Sequence, residues 1–159
     1  FAYSGHHWPC PDVPTCQGQW WPEEANFGEG FVLWRGLGIN YEFGVLDAPS
    51  RVAIHFVHRL GAVTTLAVLL AVAAYYRRAA WPAVVRTAAL LVAGAVVLQV
   101  AIGVGIVWFG LPLPLATSHN AVAAVLLLAV VNLLHAASRA GEAPARSVAA
   151  PLAARAGLP

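Results

Sequence analysis

Residues 51–138 contain no acidic residue, and within them lie three long apolar runs, at about 52–76, 83–109 and 115–137. A helix needs about 20 residues to cross a hydrocarbon core, and each run is long enough. Three buried helices in a soluble bundle are the alternative. Such helices need polar faces, and residues 88–98 and 121–131 offer none. The hydropathy rule therefore predicts an all-α membrane protein with three transmembrane helices. Composition agrees. The chain is 60% apolar and 10% charged, against about 45–50% and 25% for an ordinary soluble domain. That excludes a disordered chain and a nucleic-acid-binding domain, and a formal charge of +2 calls for no anionic partner.

The acids lie almost entirely before the first run. Residues 1–50 hold six of the seven acids, both cysteines and four of the six tryptophans. The division predicted is a polar, aromatic head over 1–50, a helical bundle over 51–138, and a disordered Ala/Pro/Arg-rich tail over 139–159. The chain begins at Phe1 and has no Met, which reads as a fragment or processed product.

Arginine placement orients the bundle. Arg77, Arg78 and Arg86 flank the first inter-helix loop, and Arg139, Arg146 and Arg155 lie in the tail. Both places fall on one side of a three-helix hairpin. The positive-inside rule makes that side cytoplasmic, with residues 1–50 outside.

Cys10 and Cys16, in C-P-D-V-P-T-C, then face an oxidising compartment. A structural disulfide is the first reading. A redox-active pair for a thiol oxidoreductase is the second. A metal site with His6 and His7 nearby is weaker, because two cysteines do not complete a tetrahedron. The aromatics Trp20, Trp21, Phe31 and Trp34 read as interface anchors. Residues 27–37 read as a covering loop or a short interfacial helix, which Gly28, Gly30 and Gly36 weaken.

Within the apolar body the ionisable residues are His55, His58, Arg59, His119 and His135. An ionisable group inside a span is a functional candidate. Counted from the outer boundary at 1.5 Å per residue, His58 lies roughly 10 Å deep and His119 roughly 6 Å. His135 lies about 24 Å deeper still. Two imidazoles at similar depth on different helices suit the two axial positions of a heme iron. Arg59 is placed to pair with a propionate. His55 is a second ligand candidate or a hydrogen-bonding neighbour. A zinc site from His55 and His58 lacks a nearby carboxylate. Gly103 and Gly105 leave room either for a macrocycle or for close helix packing.

Several segments, in order, resemble bacterial heme A synthases: Cys10-Pro-Asp-Val-Pro-Thr-Cys16-Gln-Gly-Gln-Trp-Trp-Pro22, Ile54-His-Phe-Val-His-Arg59, Gln99-Val-Ala-Ile-Gly103, and Gly110-Leu-Pro-Leu-Pro-Leu-Ala-Thr-Ser-His119-Asn. The resemblance spans about residues 10–137. It implies an eight-helix membrane oxidoreductase of two four-helix halves, oxidising a methyl group of heme O to the formyl group of heme A for terminal oxidases. Each half of that family carries two heme-facing histidines, which here are His58 and His119. His55 stands where the N-terminal half commonly has Glu, so the chain looks like the C-terminal half, holding a resident heme b.

The implied partners are the bilayer of a bacterial inner membrane, heme O bound through the other half, a heme O synthase or oxidase assembly factors, and a second copy of the chain. Alone, the chain is expected to bind heme without completing the reaction. No single residue is identified as catalytic for methyl oxidation. A membrane thiol-disulfide oxidoreductase using Cys10 and Cys16, and a b-type cytochrome, are the competing functions.

Overall fold

The computed structural model describes residues 9–34 and 46–155, with side chains as far as residue 141. His6 and His7, weighed beside the cysteines, and Gly36 lie outside the described residues. What is described is all helical: α1 (Phe27–Gly30), α2 (Ala48–Tyr76), α3 (Ala83–Trp108) and α4 (Leu113–Arg155). The last three are long and apolar enough to cross a membrane, the apolar part of α4 ending at Gly141. The three expected spans are all present.

The helix ends follow local chemistry. Asn26 caps α1 by accepting the Glu29 N–H at 3.0 Å, but the helix lasts one turn, and residues 32–34 are coil. The glycines at 28 and 30 carry a high backbone entropy cost in a helix. α2 begins four residues before the apolar run. Asp47 accepts the Ser50 N–H at 2.9 Å and Pro49 sits in the first turn, where a missing N–H costs nothing. α3 closes on a Schellman motif. Leu111 N–H donates to Ile106 O (2.9 Å) and Gly110 N–H to Val107 O (3.4 Å). Gly110 takes the left-handed conformation, φ +67°, that this motif requires. α4 continues to Arg155, through much of the stretch expected as a disordered tail. Its Ala-rich composition favours helix.

The chain divides into two compact units. The first comprises the described residues up to Thr65 together with Ile102–Ala116. Its core is the pair Cys10 and Cys16 packed on Val52 and Phe56 of α2, with Ala25 and Phe27 against them. Trp21 stacks 5.5 Å from Phe27 and 5.3 Å from Phe56, the latter edge to face. The second unit comprises Leu66–Ala101 and the residues from Thr117. Its core is Ala73, Val85, Ala88, Ala89, Val92 and Leu133. Small side chains there let helix backbones approach closely, as membrane helices do. At the α2–α3 turn Tyr75, Tyr76 and Trp81 form a ring cluster, with Arg78 5.2 Å from the Tyr75 centroid. Such an aromatic and basic group suits the headgroup level.

Most of the long helices' surface is unburied. Val63, Val68, Leu90, Leu91, Leu127 and Leu128 are all exposed. Apolar surface on that scale belongs in hydrocarbon rather than water.

Candidate functional site

α2 has two working faces in the first unit. Val52, Phe56 and Arg59, spaced by four and three residues, share one face. Val52 and Phe56 receive the cysteine pair. Arg59 extends that contact. Its Nη1 donates to Asp12 O and Thr15 O, both at 2.7 Å, and its Nη2 to Cys10 O at 2.8 Å. The guanidinium thus holds three carbonyls of the cysteine loop. The contact expected for Arg59 was a propionate. Among the described residues Arg59 meets loop carbonyls, which offer a planar fork three well-aimed acceptors.

The loop is also tied from within. Cys10 and Cys16 form a disulfide with Cα atoms 4.6 Å apart, and Cys16 and Gln19 exchange backbone hydrogen bonds at 2.9 and 3.1 Å. The Asp12 carboxylate accepts from the Thr15 hydroxyl, the Gln17 N–H at 2.6 Å and the Gly18 N–H at 2.9 Å. Partial burial alone would push the Asp12 carboxyl up. The hydrogen bonds from Thr15, Gly18 and Gln17 outweigh it and hold the group below its ordinary value.

The second face of α2 carries Arg51, His55 and His58, again spaced by four and three. All three line an open cavity of about 410 Å³, whose other walls include Ile54, Ile106 and Val107. His58 is exposed and His55 half-buried. The His55 Nδ1 is buried with no hydrogen-bond partner among the described residues. The sequence singled out both histidines, and the fold brings them to one cavity. Arg51 had no role in the sequence analysis. Its spacing from the histidines was the available signal.

His119 belongs to the second unit. It is half-buried on α4, and its Nε2 lies 3.1 Å from Gln99 Nε2 on α3. With the amide donating, the ring presents an acceptor at Nε2. Gln99 was quoted in a motif but given no role. Gly105 has Leu115 against it, since an added Cβ would sit 3.5 Å from the Leu115 Cδ1. That is close packing rather than open space. His135 is exposed. No group of three or more His, Cys, Asp or Glu side chains among the described residues gathers as a metal site.

Imidazoles on an apolar wall, with a guanidinium at one end, suit a heme-type group. The cavity volume falls within the roughly 300–1,000 Å³ of cofactor sites, and the buried His55 Nδ1 has no hydrogen-bond partner among the described residues.

Comparison with known proteins is decisive for the family. Residues 3–131 match the COX15-CtaA model, described as cytochrome oxidase assembly protein. The chain belongs to this family. A curated member, the heme A synthase of Shewanella oneidensis, is 39% identical over 124 residues. That alignment covers 78% of this chain and 36% of the curated protein, so the chain spans about a third of its relative's length. No solved structure matches. Both cysteines, Arg51, His55, His58, Arg59, Gln99 and His119 fall inside the family match, whereas His135 lies beyond it.

Proposed function

We propose that this chain is the C-terminal, heme-b-binding half of a heme A synthase, the oxidoreductase that converts the methyl group of heme O into the formyl group of heme A. The observation that carries the reading is the cavity that gathers His55 and His58 against an apolar wall in a member of this family. When bound, a heme b would supply one-electron chemistry. The chain's own residues do the rest. His58 would be one of the residues that hold the heme. His55, whose Nδ1 is buried without a partner, orients its neighbour or completes a hydrogen bond with the ligand. The apolar walls would pack against the macrocycle. His119, the matching histidine in the family resemblance, would be the other such residue. Gln99, whose Nε2 lies 3.1 Å from the ring Nε2, positions the imidazole.

The half fold implies that heme O is bound through the other half, with a heme O synthase or oxidase assembly factors as partners. It also implies a bacterial inner membrane with the cysteine loop outside and the C-terminal tail in the cytoplasm.

The thiol oxidoreductase reading is disfavoured by burial. Cys10 is 0% and Cys16 1% exposed, and a reactive cysteine needs access to its partner. The test is optical. The purified protein should give a low-spin heme b reduced-minus-oxidised spectrum, and His58→Ala or His119→Ala should abolish it. A low-spin spectrum that survives both replacements refutes the ligand assignment.

A further inference from the structure

We infer that Arg51 is the residue that recognises the acidic edge of the ligand in the His55–His58 cavity, a task the sequence alone would give to Arg59; this rests on the heme reading above. Three observations carry it. Arg51 lines the same cavity as both imidazoles, and the spacing of four and three residues sets all three on one helical face. Arg59, on the adjacent face, is committed to the carbonyls of Cys10, Asp12 and Thr15. The named neighbours of the imidazoles in that cavity, Ile54, Ile106, Val107 and Leu111, are apolar, so an ionised carboxylate entering there needs a partner.

Arg51 supplies that partner where it is cheapest to keep one. It stands in the first turn of α2, seven residues and about 10 Å along the helix from His58. It is exposed, so its guanidinium keeps its water until a ligand arrives. A macrocycle seated with its iron at the imidazole and its acidic edge toward the polar boundary of the membrane would meet a planar, bidentate donor there. The shared chemistry is that of a compact anion, and a phospholipid phosphate at the headgroup level is the competing source.

The experiment compares two ligands on the intact protein in nanodiscs of phosphatidylcholine only. Iron protoporphyrin IX and its dimethyl ester, which lacks the acidic edge, are titrated and followed by the low-spin Soret band. The wild type should bind the free acid about tenfold more tightly than the ester. Arg51→Gln should lose that difference, weakening the acid and leaving the ester unchanged. Arg51→Lys should restore part of it, and Arg86→Gln, at the start of α3, should behave as wild type. Equal weakening of both ligands by Arg51→Gln, or full discrimination retained by it, overturns the inference and points to a lipid contact or a purely structural role. A wild-type protein that gives no low-spin band with either ligand refutes the heme reading itself, and the inference with it.

Discussion

Removing the Arg59 guanidinium should open the cysteine loop without unfolding the bundle. Arg59 makes three hydrogen bonds, at 2.7, 2.7 and 2.8 Å, to carbonyls 44–49 residues away in sequence. A hydrogen bond involving a charged group contributes about 1.5–3 kcal/mol. Three bonds from one partly exposed side chain do not add fully, since water replaces some of what is lost, and a net of roughly 3 kcal/mol is reasonable. At about 1.4 kcal/mol per decade, the open loop should become on the order of a hundredfold more populated in Arg59→Ala. The assay is the rate at which dithiothreitol reduces the buried Cys10–Cys16 disulfide, read by thiol-specific mass tagging in nanodiscs. When opening is fast and reversible, that rate tracks the open population. Arg59→Lys should recover only part of the protection, because an ammonium is a point donor and cannot span three carbonyls. Reduction of Arg59→Ala at a rate within twofold of wild type would refute the clamp, and its hydrogen bonds would then be incidental to loop stability.

Two further outcomes are expected. The Asp12 carboxyl is lowered from 3.8, so its contribution is fully present above that unfolded value and is lost as the pH falls through the still lower folded one; disulfide reduction by a phosphine active in acid should accelerate below about pH 4 in wild type and show no such step in Asp12→Asn. Gly110→Ala should destabilise the α3–α4 turn by about 1 kcal/mol through backbone strain alone, since nothing lies within 4 Å of the added Cβ; a thermal melt that matches wild type would count against the Schellman assignment.

The spans were legible because hydrocarbon leaves a chain few options. Unbroken apolar runs of the right length have one stable form in lipid, and expectation and structure differ there mainly at the ends. α2 starts at Ala48 rather than 52 because capping by Asp47 and a proline in the first turn carry no hydropathy signal. α4 runs to Arg155, through a stretch whose Ala/Pro/Arg-rich composition reads as tail. His55 and His58 could be singled out because an ionisable side chain stands out in an apolar run.

Side-chain partners were another matter. The clamp joins Arg59 to residues more than 40 positions away, and nothing in the local string around His58 announces it. An arginine beside a candidate ligand has two equally good chemical uses, an anion or a set of carbonyls, and only the tertiary arrangement chooses. The same holds for Gln99 and His119, 20 residues apart on different helices. The helical face of Arg51 could be counted from sequence, but the existence of a cavity along that face could not.

These contacts assign the outer end of α2 two tasks at once. Successive residues on a helix rotate by roughly 100°, so the face bearing Val52, Phe56 and Arg59 and the face bearing Arg51, His55 and His58 are adjacent but separate. The first is fixed by a disulfide loop, an aromatic cluster and three charged hydrogen bonds. The second faces a cavity whose only described polar lining residues are the arginine and the two imidazoles. A helical segment anchored so firmly on one face holds fixed the backbone from which the other face's side chains project. Preorganised donors bind a rigid planar ligand with less loss of conformational entropy than mobile ones. The covalently closed loop therefore anchors the helical segment that the histidines stand on.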